Sequence, residues 1–554
     1  MKGVGNLDKI QIKNIRSLKD TGQVALSPIT LLVGENSSGK STFLRLFPLI
    51  KQSISKRTDG PLLWAGDVDD YVDFGSFAET ITNDGSTDMT LCFSFLIPGH
   101  GNYLTYGETR IARFLPNFVE LMERLPKEID VQYSITISQS NGHEYISRLK
   151  IQLNQSQFEF VLPSAGRWKG SNNATILVDT EPFSYYSDEE KEPPLRYGFG
   201  AEFAISEIFG YILPSRSGII DKLLREFLDD IPDDIYEDDF ALRHFRDYPI
   251  NLMRLIGQYL CRGATWDEVR SLLTSEERSE LDIAGKMLQG LVRRLRDFDE
   301  KHIQKLLPAF KLLFFYNFFS NIEEYLKTYF RQVHYIAPLR ATAERYYRLR
   351  NLAIDEVDYQ GKNLAMFLSG LSEVRMRKFQ RWTQEYFGFR VIVAKNGGHL
   401  SVKIALTTGG DPVNMSDTGF GYSQILPIIT QLWDLSTKRQ PRHEKVPLVI
   451  AIEQPELHLH PALQARLAKA LLSSIQLAKE NGYHLQLIIE THSETIVNYF
   501  GMAIANGALQ KQDVSVVLFD KDLQTKHTRV QSSSYDQDGY LQNWPVGFFA
   551  PKEW

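Results

Sequence analysis

Three short stretches carry residue types suited to a phosphorylated ligand. GENSSGKS (34–41) has glycines at 34 and 39 and then Lys40 and Ser41. That spacing lets a backbone wrap closely, so that successive N–H groups from Asn36 through Ser37, Ser38, Gly39 and on to Thr42 aim at phosphate oxygens. Lys40 supplies a point charge for the β- and γ-phosphates, and Ser41 supplies a hydroxyl for Mg²⁺. VPLVIAIE (446–453) is an apolar run ending in Glu453, a carboxylate placed to hold that Mg²⁺. Gln454 follows where a general base would stand; an amide can orient water but cannot take its proton. A shifted register would make Glu453 the base and leave Ile452 at the metal position, which removes the metal carboxylate. Glu456 is the nearest other acid. LQLIIETHSE (485–494) ends a second apolar run with His492, placed to sense the γ-phosphate or position water, or else to serve as a structural histidine.

A fourth stretch, SDTGFGYSQ (416–424), precedes the apolar run ILPIITQLW. Gly419 and Gly421 keep a helix start open, and Ser423 and Gln424 can donate hydrogen bonds. Alone, this is a common glycine-rich helix cap. His458 and His460 are candidates for a subunit contact, with Pro461 opening the next helix. Arg340, Arg345, Arg348 and Arg350 lie among tyrosines, and Arg375, Arg377, Lys378 and Arg381 among other aromatics. Such interleaving suits nucleic-acid phosphate and base stacking; a solvated helix face with buried rings explains it equally. Arg340 has a further option, the nucleotide across a dimer. The acidic run LDDIPDDIYEDD (228–239) reads as a solvated loop or a docking site for something basic.

Strand–loop–helix order must position the first stretch. SPITLLVG is β-branched and apolar up to the glycine, and FLRLFPLI begins a helix. KIQIKNIRSL alternates as a half-buried strand does. Residues 86–97, 131–138, 145–152 and 156–162 read as an antiparallel sheet, and helical spacing dominates from about 215 to 335. RVIVAKNGGHLSVKIAL (390–406) reads as a hairpin turning at Asn396–Gly397–Gly398. The expected fold is α/β: an ABC-type P-loop ATPase head with a mixed sheet, an antiparallel β subdomain and a largely helical insertion. The divisions are 1–165, 166–332 and 333–554, with the first and last forming one nucleotide head.

Composition sets the limits. The 554 residues are 43% hydrophobic and 23% charged with a net charge of −6, so no global basic field draws the chain to nucleic acid or to a membrane. Two scattered cysteines make neither a disulfide framework nor a zinc site and fit a reducing cytoplasm. The N-terminus lacks the apolar core of a signal peptide. The greasiest run, LLFFYNFF (312–319), is too short to span a bilayer and reads as a buried helix face.

Phosphate loop, signature, metal strand and histidine switch, in that order, resemble the ABC-type ATPase heads of the recombination and SMC-like group. The stretches IQIKNIRSLKD, EQPELHLHPALQARLA, YIAPLRATAERYY, ETHSE and DGYLQNWPVGFF look more specifically like bacterial ATPases of the overcoming-lysogenization and Septu-type anti-phage group. The resemblance covers roughly residues 8–100 and 333–554. It implies ATP and Mg²⁺ as ligands, and a homodimer in which one subunit's signature covers ATP held by the other, with higher oligomers open. It also implies a separate HNH nuclease as partner and, in some systems, a retron reverse transcriptase with its DNA–RNA hybrid. Overcoming-lysogenization nucleases carry a toprim domain after the ATPase; about 60 residues follow ETHSE here, too few for one. Asp520 and Asp522 mimic an acidic pair without that domain. Gln454 departs from the glutamate of many relatives. The competing readings are a recombination-type repair ATPase that binds DNA ends directly and a transporter's ATPase subunit.

Overall fold

The computed structural model describes residues 7–56, 58, 60–67, 70–98, 127–161, 175–183, 247–273, 292–293, 295–296, 299–350, 354–438, 446–522 and 524–545. The acidic run at 228–239 and the last residues of the NWPVGFF stretch lie outside them. Two compact units are present, and the chain passes between them more than once. Residues 9–52, 63–86 and 328–554 form the first; residues 1–8, 53–62 and 87–327 form the second. The antiparallel sheet that follows the phosphate loop therefore groups with the helical residues after it.

The first unit is organised by a seven-stranded sheet. Its order is Val333–Ile336, Leu448–Glu453, Leu485–Glu490, Ile29–Gly34, Val514–Lys521, Thr528–Tyr535 and Leu541–Gln542. The first five strands are parallel and the last two antiparallel. Every residue of Ile29–Gly34, Leu448–Glu453 and Leu485–Glu490 is buried, as expected of parallel strands covered on both faces. Helices Phe420–Thr437, Pro461–Glu480 and Glu494–Ala505 share with these strands a core that includes Ile429, Trp433, Leu467, Leu471 and Phe500. A smaller antiparallel sheet adds the hairpin Phe389–Asn396 and His399–Leu406, in which Asn396 faces His399. Gly397, at φ +58°, makes the turn.

In the second unit, Asp88–Pro98, Glu128–Ser140, His143–Leu153, Ser156–Val161, Thr175–Val178 and Glu181–Phe183 form an antiparallel meander. Burial alternates strictly along Asp88–Pro98, so one face is apolar and needs cover. Helix Glu300–Arg331 supplies it: Phe315 stacks on Phe158 at 4.2 Å and Tyr325 on Phe95 at 4.4 Å. Leu312, Leu313, Phe314, Phe315, Phe318 and Phe319 of the LLFFYNFF run are thus core, with Phe315 fully buried. No described helix is long and apolar enough to cross a membrane.

Candidate functional site

The phosphate loop sits at the carboxyl end of the central strand Ile29–Gly34, and helix Lys40–Ser55 starts directly after it. Two glycines are required by space and torsion. A Cβ on Gly34 would stand 2.3 Å from the Phe519 carbonyl oxygen; Gly39 has φ +94°, and a Cβ there would stand 2.9 Å from Ser17 Oγ. Lys40 is buried, and its Nζ donates to the carbonyls of Gly34 (3.1 Å) and Glu35 (2.6 Å). This curls the lysine back over its own loop. Burial lowers its pKa, opposed by Glu490, Glu456 and Glu35. The Thr528 hydroxyl donates to the Ser38 carbonyl at 2.8 Å and ties the loop to the strand behind it.

A cavity of about 370 Å³ opens over the loop. It is lined by Asn36, Ser37, Ser38, Gly39, Lys40, Ser41 and Thr42, and also by Arg16, Ser17, Gln454, Glu490 and Lys521. Asn36 through Thr42, singled out from the sequence, therefore all line it, and Gly34 does not. Arg16, Ser17, Glu490 and Lys521 were missed there. Glu490 had a signal, because LQLIIE ends on an acid just as LVIAIE does. Lys521 had none beyond its place at a strand end.

The two acid-tipped strands are neighbours in register, with Glu453 opposite Glu490. Both residues are 1% exposed, and their surroundings differ. Glu453 accepts from Arg45 Nε (2.7 Å) and Arg45 Nη2 (2.8 Å), and its Oε1 also accepts from the Tyr335 hydroxyl (2.7 Å). Its carboxylate is thus already balanced by a bidentate cation. Glu490 accepts from Ser41 Oγ at 2.9 Å, while its other oxygen is buried with no partner. Burial and then the charge of Glu453 raise its pKa, opposed by Ser41, Lys40 and Arg45.

Gln454 begins the turn after the metal strand at φ +42°, and its N–H donates to the Glu490 carbonyl at 2.9 Å. Arg340 is 5% exposed and donates through Nη2 to the carbonyls of Glu453 (3.0 Å) and Gln454 (3.4 Å). It holds the turn from within its own chain, and burial lowers its pKa to about 10. Glu456 accepts the backbone N–H of His492 at 2.6 Å, which links the two polar strand ends. Burial raises the Glu456 pKa. The His492 residue as a whole is exposed, yet desolvation of its ring, with Lys40 nearby, lowers its pKa to about 4. Glu453, Glu456 and His492 do not line the cavity.

Gly419 caps helix Phe420–Thr437 at φ +81° and is exposed. Ser423 and Gln424 are buried, and Gln424 Nε2 donates to the Arg340 carbonyl at 3.5 Å. No residue of SDTGFGYSQ lines the cavity of its own chain. His460 is the cap of helix Pro461–Glu480, its Nδ1 accepting the Ala462 N–H at 3.3 Å. His458 is exposed at φ +63°. Of the basic stretches, Arg345 pairs with Asp417 at 2.6 Å, and Arg375 pairs with Asp434 at 2.7 Å while lying over Trp433. Asp522 accepts N–H groups of Gln524 and Thr525 in a turn. Among the described residues no cluster of three or more His, Cys, Asp or Glu is placed to hold a metal.

A nucleotide with its magnesium fits these residues. The loop offers helix-start N–H groups and a buried lysine, and beside Ser41 stands a buried carboxylate oxygen without a partner. Strand order adds to this. The phosphate strand is central, and one strand separates it from the strand bearing Glu453 and Gln454. The first unit is thus a mixed α/β fold with the phosphate loop at the carboxyl end of its central parallel strand.

The family described as AAA ATPase domain matches residues 6–183 and 287–497, more than half of the chain. The chain belongs to that family, and nucleotide binding and ATPase activity are the general properties that membership carries. No curated protein matches the chain significantly. Among solved structures, the SMC head domain from Thermotoga maritima aligns over 95% of this chain and 98% of its own, at 10% identity and a TM-score of 0.31.

Proposed function

We propose that the protein is an ATP-gated clamp: a head that binds Mg-ATP, closes on a second copy of itself around the nucleotide, and hydrolyses it slowly. The observation that carries slow turnover is Gln454. It lines the phosphate-loop cavity at the end of the metal strand, and an amide there can orient water without accepting its proton. Glu456, the other candidate base named from the sequence, accepts the His492 amide. Lys40 and the loop N–H groups bind and orient the phosphates, and Ser41 with a carboxylate from the acid-tipped strand ends would hold the magnesium. That ion, when bound, neutralises charge between the β- and γ-phosphates. His492, neutral at pH 7, is available to accept or donate one hydrogen bond to the γ-phosphate or its water.

The dimer is supported by Gly419 being exposed while the signature stays away from its own cavity. That is what a surface offered to another copy requires. Regulation of a partner HNH nuclease in bacterial anti-phage defence, in a Septu-type or retron setting in the cytoplasm, rests on the sequence resemblance alone. The repair-ATPase alternative would draw on the two basic stretches, of which Arg345 and Arg375 are already engaged in ion pairs. The test is ATP turnover by purified protein. Slow wild-type turnover that rises about 10²-fold in Gln454→Glu supports the clamp. Brisk turnover that is indifferent to Gln454→Glu and to Glu456→Ala refutes it. A nuclease that copurifies only when ATP is present extends the reading to the partner.

A further inference from the structure

The two acids at the strand ends are not equivalent, and the difference assigns them separate work. In a parallel sheet neighbouring strands lie about 4.8 Å apart. Strand Leu485–Glu490 is directly beside the phosphate strand, with Glu490 opposite Leu32, while Leu448–Glu453 is one strand further out. Glu490 bonds Ser41 in the first turn of helix Lys40–Ser55, whereas Glu453 bonds Arg45 one turn further along. Glu490 lines the cavity; Glu453 does not.

The partners point the same way. Glu453 has both oxygens on Arg45, at 2.7 and 2.8 Å, and a third bond from Tyr335. Taking it for a metal would strip the half-buried Arg45 guanidinium of its counter-charge. Glu490 has one hydroxyl, from Ser41, and one buried oxygen with no partner. A buried carboxylate so poorly served calls for a cation. The spacing suits one. Two adjacent ligands of an octahedral Mg²⁺ with bonds of about 2.1 Å lie about 3.0 Å apart, and Ser41 Oγ and Glu490 Oε1 lie 2.9 Å apart.

We propose that Glu490, at the end of the histidine strand, is the carboxylate that holds the nucleotide's divalent cation together with Ser41, and that Glu453 is a structural acid locked to Arg45 and Tyr335. This rests on the ATP-binding reading. It moves the metal carboxylate to a strand whose recognised feature is its histidine. It also puts the metal carboxylate and His492 two residues apart at the end of one strand.

The test uses the full chain and a non-hydrolysable ATP analogue. Analogue affinity is measured by calorimetry in EDTA and in Mn²⁺, for wild type, Glu490→Gln and Glu453→Gln. The expected result is that Mn²⁺ tightens binding to the wild type and that Glu490→Gln loses about tenfold or more of that gain, with its EDTA affinity kept. Glu453→Gln is expected to keep the gain. A variant that does not fold is bypassed by wild-type protein loaded with Fe²⁺ and the analogue, then treated with peroxide and ascorbate so that radicals cut the chain beside the bound ion. Cuts next to Glu490 and Ser41 support the assignment. Cuts at Glu453 without cuts at Glu490, or a metal gain lost in Glu453→Gln and kept in Glu490→Gln, overturn it while leaving ATP binding intact. A wild type that binds no analogue in either buffer overturns the ATP reading itself, and this proposal with it.

Discussion

Arg45 is the residue whose removal should cost the nucleotide unit most for its position. Its side chain is about one-third exposed, but Glu453, which it grips with two hydrogen bonds of 2.7 and 2.8 Å, is 1% exposed. Replacing Arg45 by Met keeps the stem and removes the charge. Glu453 then keeps only the Tyr335 hydroxyl and the surrounding dipoles. Hydrogen bonds to charged groups contribute roughly 1.5–3 kcal/mol each, and breaking one side of a buried pair costs about 3–5 kcal/mol. Water entering by the opening that Arg45 occupied brings the expected loss to the lower end, about 3 kcal/mol. The assay is urea unfolding of nucleotide-free protein in EDTA, followed by tryptophan fluorescence; Trp382 and Trp433 are buried in the core of the same unit. The double variant Arg45→Met with Glu453→Met removes both charges, and apolar replacement of a buried pair is often neutral or stabilising. It should therefore recover most of the loss, giving a coupling of about 2–3 kcal/mol. A single variant that loses less than about 1 kcal/mol, or a double variant that loses the sum of the singles, would refute the account of Glu453 as a locked structural acid.

Further outcomes follow from the same geometry. Lys40→Ala should abolish measurable ATP binding by calorimetry while leaving the circular dichroism spectrum unchanged. Gly39→Ala should weaken nucleotide binding and lower stability by about 1–3 kcal/mol, the usual cost of a side chain in a sparsely populated backbone region, because φ is +94° and Ser17 Oγ stands 2.9 Å from the new methyl; chemical denaturation and calorimetry check both. His492 titrates at about 4 in the folded, nucleotide-free protein against an ordinary value of 6.5. Between those values the unfolded chain binds the proton and the folded one does not, so stability falls as pH drops from about 6.5 to about 4. His492→Gln should flatten that part of the pH–stability curve, and an unchanged curve counts against a desolvated ring. Arg375→Ala should cost stability through Asp434, which is 3% exposed and loses its bond from Arg375, with denaturant midpoint as the readout and no change in DNA retention.

The phosphate loop was legible because its chemistry is contiguous. Eight residues, a strand before and a helix after carry the whole statement. The antiparallel strands and the Asn396–Gly397–Gly398 turn were legible through period-two alternation and turn chemistry. The partition of the two acids was not. Nothing local in LVIAIE or LQLIIE says which one meets Arg45, because that depends on strand order, and strand order is set by contacts hundreds of residues apart. Arg45 itself reads in sequence as an unremarkable helix residue. The arginine-rich stretches left a choice open. Their spacing among aromatics is common to a nucleic-acid surface and to a helix face that closes on buried Asp434 and Trp433, and only packing separates the two.

The central strand has a consequence for how the molecule is made. Ser41 and Glu490 are 449 positions apart and yet bonded, and Ile29–Gly34 has as its two neighbours strands that are synthesised more than 450 residues later. Closing such a loop costs about 5 kcal/mol of chain entropy before any pairing compensates it. During translation this apolar strand emerges early and waits, with both edges open, while the meander and its helices fold behind it. Open apolar edges of this kind invite pairing with other chains, so the nascent protein should depend on chaperones until its last parallel strand is out. A ribosome stalled between residues 41 and 485 would yield a chain carrying the complete GENSSGKS sequence but lacking Glu490 and Lys521 of the cavity, so nucleotide binding reports that synthesis has passed those strands.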